Sequence, residues 1–274
     1  MAARREPRRR SSDTPSRVLY ALPAIAFALF IVISGGLVLA LGLIVLGVTA
    51  LHELYSIMRR VRPVDVVGFL ALAGMVLAAL YGGDRQVLLV LVCAFPVAFV
   101  GTLLRPRRQN ASWAVAVTLF GALWIGMAMA HAVFLRELPE GQGLLLDALA
   151  ATFIGDSFAY FGGRLYGRRP LAPDISPNKT LEGLIAGVIG GTAAFWCAGL
   201  YQDWLSHGDA LILGVLVAIA APLGDLFESL FKRDLDVKDT GGLFGPHGGV
   251  LDRLDGVLFS VPMAFYVALA LGLG

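Results

Sequence analysis

Residues 18–58 read VLYALPAIAFALFIVISGGLVLALGLIVLGVTALHELYSIM, without an acid or base before His52-Glu53. Crossing the hydrocarbon of a bilayer takes about 20 residues of helix, so this run is too long for one span. Ser34-Gly35-Gly36 is the natural break. The division predicts spans at 18–34 and 36–57, and every later span takes its direction from it. Further apolar runs lie at 64–81, 86–104, 112–135, 144–163, 181–202, 209–230 and 251–272. The runs are continuous rather than alternating, which favours helices over a barrel. The chain of 274 residues is 57% hydrophobic and 15% charged, against roughly a quarter charged in soluble domains. The expected fold class is an all-α polytopic integral membrane protein of about nine transmembrane helices.

Charge placement tests that count. With the N-terminus in the cytoplasm and nine alternating spans, twenty Lys and Arg fall in cytoplasmic segments and only Arg85 and Arg136 fall outside. Such asymmetry follows the positive-inside rule and puts the C-terminus outside. Residues 1–17 are rich in Arg, Ser and Pro. The apolar stretch after them is too long for a signal peptide and lacks a cleavage site, so they read as a disordered basic cytoplasmic tail. Residues 18–143 read as a five-helix scaffold, and 144–274 as a four-helix catalytic region carrying acids within or beside its spans. Cys93 and Cys197 lie in separate apolar runs and suggest neither a disulfide nor a metal framework.

The polar residues of the second half are spaced for chemistry. Asp225, Glu228, Ser229 and Lys232 recur at i, i+3, i+4 and i+7, one helical face. The eighth span runs inward and carries Asp225 near its cytoplasmic end. The ninth begins inside with Asp252 and Asp255, and the sixth ends inside with Asp156. Acids at one depth on three helices mark function, because ionisable groups near hydrocarbon are costly. Convergent carboxylates suit Mg²⁺, which usually brings substrate phosphates with it. Lys179, Lys232, Arg233, Lys238 and Arg253 are placed to hold phosphate oxygens. Ser176-Pro-Asn178-Lys179-Thr180-Leu-Glu182 precedes the seventh span, where Thr180 or Asn178 can cap the helix. Gly241-Gly242 and Gly248-Gly249 flank His247 and permit positive φ and close approach to a ligand. For His247, proton transfer, phosphate contact and plain hydrogen bonding all stay open. Neither a P-loop nor a dinucleotide fingerprint occurs. His52-Glu53 reads as an interface anchor and His131 as a hydrogen-bonded packing residue. Glu137, Glu140, Asp147, Asp203, His207 and Asp209 read as solvated loops or caps on the external side.

Residues 229–255, SLFKRDLDVKDTGGLFGPHGGVLDRLD, resemble the signature of the phosphatidate cytidylyltransferase (CDP-diacylglycerol synthase) family over 27 positions. Residues 171–183, LAPDISPNKTLEG, are similar to a second motif of that family. The pattern departs at Gly245-Pro246, where many members carry Pro-Gly. The resemblance implies transfer of a cytidylyl group from CTP to phosphatidate with Mg²⁺, and adds a potassium ion. It implies that Asp225 and Asp252 hold the metal. Catalytic roles are expected for Asp225, Lys232, Arg233, Lys238, Asp239, His247, Asp252 and Arg253. Substrate contacts are expected for Asp156, Ser176, Asn178, Lys179, Thr180, Glu182, Ser229, Gly248, Gly249 and Asp255. The expected setting is the inner cell membrane with the site facing the cytoplasm. The partners are CTP, phosphatidate and the bilayer, with a homodimer compatible and no nucleic acid. A cytidylyltransferase or kinase for an ether or polyprenyl lipid is the nearest alternative. A CDP-alcohol phosphatidyltransferase lacks support because DGxxAR is missing. A cation-coupled transporter would place its acids near the midplane of paired halves.

Overall fold

The long apolar run divides at the glycine pair. Helix α1 (Thr14–Ser34) ends and α2 (Gly36–Ile57) begins across Gly35, at φ 64°, and Gly36, at φ 47°. Two successive left-handed residues redirect the chain at little cost only when both are glycine. The computed structural model describes residues 14–106, 109–241 and 248–274. Most of the expected basic tail, residues 1–13, lies outside the described residues.

From there the chain continues as α3 (Asp65–Tyr81), α4 (Asp84–Leu103), α5 (Ala111–Gly121) and α6 (Met127–Glu137), the last two joined through a π-helical turn at Ala122–Gly126. Then come α7 (Gly141–Tyr166), α8 (Leu181–Gly199), α9 (His207–Asp234), α10 (Leu251–Leu254) and α11 (Val257–Ala270). Among the described residues, seven helical stretches are long and apolar enough to cross a membrane: Gly36–Ile57, Asp84–Leu103, Ala111–Glu137, Gly141–Tyr166, Leu181–Gly199, His207–Asp234 and Leu251–Ala270. Shorter apolar helices, Leu22–Ser34 and Asp65–Tyr81, stand where the first and third spans were expected.

One element corrects the all-helical expectation. Between α7 and α8, β1 (Pro170–Ala172) and β2 (Ser176–Thr180) form an antiparallel hairpin, with Pro170 opposite Thr180 and Ala172 opposite Ser176. Its strands are too short and polar to show alternation. The ribbon's open edges are tolerated because it lies beyond the apolar helices.

Close backbone contact builds the second half. Gly183, Gly187 and Gly191 form one face of α8 against α7. A Cβ on Gly187 would lie 3.1 Å from the Gly155 carbonyl oxygen, and one on Gly191 would lie 2.9 Å from that of Ala151. Small residues four apart are how helices associate in lipid, where apolar burial gives no advantage. Helix α9 packs on α8 and α11, and α11 also packs on α6 and α7. Outward faces are apolar: Ile25, Phe30 and Ile33 on α1, and Leu88, Val92, Phe95 and Phe99 on α4, are exposed. Cys93 and Cys197 are free and exposed on such helices.

Cross-contacts sort the helix ends into two groups. At one end, Arg136 Nε donates to the Val32 carbonyl at 2.9 Å, and Gln202 Nε2 donates to Asp147 Oδ2 at 2.8 Å. At the other, Arg105 donates to the carbonyls of Arg62 and Pro63, and Glu53 accepts from the start of α10. Two single-residue expectations change here. Asp147, expected as a solvated group, is 4% exposed, closed in by Gln202. Glu53, expected as an interface anchor, is buried against the last helix. His131 is buried as expected, its Nδ1 2.7 Å from the Met127 carbonyl and its Nε2 3.0 Å from the Tyr266 hydroxyl.

Candidate active site

Helix α9 carries its polar residues on one face, and the internal bonds match the spacing. Lys232 Nζ donates to Glu228 Oε2, one turn back, at 2.7 Å, and Ser229 Oγ donates to Asp225 Oδ1 at 3.4 Å. The last helix meets this face closely because residue 224 is glycine: a Cβ there would overlap the Asp255 carbonyl oxygen. Thus α10–α11 begins against α9, and Asp225, Glu228 and Asp255 bring one carboxylate oxygen each within 4.8 Å of the others. Glu228 is 1% exposed, and its Oε1 has no hydrogen-bond partner among the described residues.

Lys179, at the end of β2, reaches the same place. Its Nζ lies 2.6 Å from Asp225 Oδ2, without hydrogen-bond geometry to it or to another group among the described residues. Asp156 on α7 is within electrostatic range of Asp225, Lys179 and Asp255. It opens onto a shallow groove between α7, α8 and α9, lined also by Thr152, Gly155, Gly187, Ala221 and Pro222. Asp156, Asp225, Glu228, Asp252 and Asp255 therefore face the ammonium groups of Lys179 and Lys232. That excess of negative charge in a low-dielectric setting favours a cation.

Asp252 is held differently from its neighbours. Its Oδ1 accepts from Lys232 Nζ at 2.9 Å, while its Oδ2 accepts from the amides of Gly249 at 2.7 Å and Thr240 at 3.1 Å. Gly248 sits at φ 80° beside it, the positive-φ position expected of this glycine-rich turn. The metal expectation paired Asp225 with Asp252; the geometry groups Asp225 with Glu228 and Asp255 and gives Asp252 to Lys232 and backbone amides.

The remaining expected residues divide between the cluster and its supports. Arg233 Nε donates to the Ile175 carbonyl at 3.0 Å and ties the hairpin to α9. Thr180, rather than Asn178, caps α8: its Oγ1 accepts from the Gly183 amide at 3.1 Å. Glu182 Oε2 accepts from the amides of Arg168 and Arg169, fastening the turn into β1. Ser176 and the exposed Asn178 lie on β2. Lys238 and Asp239 are exposed beyond α9, and Arg253 is exposed on α10. Gly242 and His247 lie outside the described residues. Glu53, which the sequence had not placed here, binds the first amides of α10. An acid at the end of an otherwise uncharged span was its one visible signal.

The family model for the cytidylyltransferase family matches residues 15–271. The chain belongs to that family. It is 32% identical over 257 residues to the phosphatidate cytidylyltransferase of Staphylococcus aureus (strain COL), covering 90% of this chain and 96% of that one. It is 30% identical over 266 residues to the phosphatidate cytidylyltransferase of Bacillus subtilis (strain 168), covering 93% and 97%. It is also 36% identical over 184 residues to the uncharacterized protein YnbB of Escherichia coli (strain K12), a match spanning 65% of this chain and 62% of that protein. The family match spans both halves of the chain, from α1 to α11.

Proposed function

We propose that this cytidylyltransferase acts on phosphatidate, joining it to the cytidylyl group of CTP to give CDP-diacylglycerol and pyrophosphate. The observation that carries the reading is the meeting of Asp225, Glu228 and Asp255 with Lys179 and Lys232 where apolar helices end. A nucleotide and a lipid headgroup can meet at such a place and almost nowhere else on an apolar bundle. The gathering of the acids at helix ends in one half sets aside the transporter alternative.

The donor set suits Mg²⁺. Three hard carboxylate oxygens converge, and the buried Glu228 Oε1 has no hydrogen-bond donor among the described residues. Asp225, Glu228 and Asp255 would hold the ion. When bound, it supplies charge neutralisation for the CTP phosphates. Lys179 is placed to hold phosphate oxygens and to hand over its contact with Asp225 as they arrive. Lys232 bonds both Glu228 and Asp252 and so joins α9 to the start of the last span. An oxygen of the phosphatidate phosphate forms the new bond to the α-phosphorus of CTP, and the α–β anhydride bond breaks to release pyrophosphate. The attacking oxygen is already anionic, so the protein provides position and charge rather than a nucleophile.

The same proposal places nine spans in the inner cell membrane, with the N-terminus and the carboxylate cluster on the cytoplasmic side. The two groups of helix ends support alternation, and Arg59, Arg60, Arg62 and Arg105 gather at the end that holds Glu53. The test is purified protein in detergent with CTP, Mg²⁺ and a panel of lipid phosphates. Formation of CDP-diacylglycerol with one pyrophosphate per turnover is expected. No pyrophosphate release on adding phosphatidate overturns the reading, and release with a different lipid phosphate reassigns the acceptor.

A further inference from the structure

We propose that Glu53, on the second helix, is a positioning residue for this reaction: its carboxylate fixes the first turn of α10 and thereby sets where Asp252 and Asp255 stand. The inference rests on the function proposed above and adds a residue from the scaffold half to it.

Glu53 is 6% exposed, among the buried Leu51, Leu54 and Tyr55. A carboxylate is rarely kept in such surroundings unless its oxygens are satisfied. Each oxygen has its own partner: Oε1 accepts from the Val250 amide at 3.0 Å and Oε2 from the Leu251 amide at 2.9 Å. These are unpaired first-turn donors of the last helix, where negative charge is also favoured. The preceding amide, Gly249, goes to Asp252 Oδ2 at 2.7 Å. Three consecutive amides are therefore each taken by a carboxylate oxygen, two of them from a residue some 200 positions earlier in the chain. The fit is tight: a Cβ on Gly241 or Gly249 would overlap the Glu53 carboxylate.

Helix α10, Leu251–Leu254, directly beyond the clamp, is the first turn of the last span, Leu251–Ala270, so the clamp sets where that span begins. It carries the acids of the cluster. Asp252 comes one residue after the second clamped amide, and Asp255 comes four after it. A shift of the clamped turn moves Asp252 away from Lys232 and Asp255 away from Asp225 and Glu228. Plain packing at this site would be served as well by an apolar side chain.

The test uses Glu53→Gln, which keeps size but leaves only one acceptor oxygen for two amides, and Glu53→Asp, which keeps both oxygens on a shorter arm. His52→Ala, an exposed neighbour, is the control. Two readouts are taken on full-length protein in detergent: kcat and KM for CTP and phosphatidate, and the rise in melting temperature on adding Mg²⁺ alone. Loss of a group that orients metal-binding residues costs about 10- to 100-fold. Glu53→Gln is expected to lower kcat by that factor with KM for phosphatidate nearly unchanged. It is also expected to need about tenfold or more Mg²⁺ for the same thermal shift, with Glu53→Asp intermediate and His52→Ala like wild type. A wild-type kcat and wild-type Mg²⁺ response in folded Glu53→Gln overturn the proposal. So does a loss in either variant that merely tracks the folded fraction, with specific activity and Mg²⁺ response intact. Wild-type protein that responds to Mg²⁺ but makes no CDP-diacylglycerol counts against the function and leaves the thermal comparison to decide the role of Glu53.

Discussion

Lys232 on α9 holds Asp252 at the head of the last helix, Nζ to Oδ1 at 2.9 Å. The same ammonium group takes Glu228 at 2.7 Å, so one cation joins the helix that carries Asp225 to the helix that carries Asp255. The joint is enclosed: the side chains are 16% exposed for Lys232, 11% for Asp252 and 1% for Glu228.

Lys232→Met removes the cation and leaves two enclosed carboxylates facing each other. Breaking such a buried pair costs roughly 3–5 kcal/mol. A clear fall in melting temperature in detergent is expected, together with loss of activity. Adding Glu228→Gln to Lys232→Met should recover part of the stability but not the activity. A double variant no more stable than the single one would show that the charge on Glu228 is not what the lysine offsets.

The grouping of carboxylates separates two roles for the aspartates. Asp225→Asn and Asp255→Asn are expected to lower kcat by about 100-fold or more and to raise the Mg²⁺ needed for half activity. Asp252→Asn should lose mainly stability, since its oxygens are engaged by Lys232 and backbone amides. Mg²⁺ titrations of CDP-diacylglycerol formation decide this. An Asp252→Asn variant with the largest change in Mg²⁺ requirement would return the metal to the pairing the family resemblance implies.

Gly224→Ala puts a methyl group into the Asp255 carbonyl. Backbone does not yield as a side-chain tip would, so α9 and α11 must part. A displacement near 1 Å at a reacting centre costs about 100-fold. The variant is expected to fold yet lose activity to that order, with a weaker thermal shift by Mg²⁺. Wild-type activity would mean that the two helices need not touch at this point.

Thr180→Ala removes the cap of α8 while leaving Lys179 beside it. Losing an N-cap costs about 1 kcal/mol. A small drop in melting temperature is expected, restored by Thr180→Ser. Loosening of the α8 start next to Lys179 should also raise KM for CTP more than it lowers kcat.

Much of the architecture was legible because a bilayer makes it local. Each spanning segment must satisfy its own backbone, so length and hydropathy of a run suffice to announce a helix. The break at Gly35-Gly36 could be read for the same reason, since it depends on the backbone freedom of two residues. The face shared by Asp225, Glu228, Ser229 and Lys232 comes from helical period alone. The short hairpin at 170–180 was not legible, because its strands are too brief to carry a period. Asp147 was misplaced because its burial depends on Gln202, which comes 55 residues later.

By itself, then, the sequence determined that apolar helices cross a membrane, where they break, and which acids and bases lie near one another along each helix. Only the tertiary structure decided which carboxylates meet. Asp225 joins Glu228 and Asp255, Asp252 goes to Lys232, and Glu53 of the second helix grips the amides that start the last one. The reason is physical: spacing along a helix is set by the backbone, whereas contact between helices is set by how closely their surfaces pack. Here that closeness depends on glycines such as Gly224 and Gly249, whose partners lie far away in the chain.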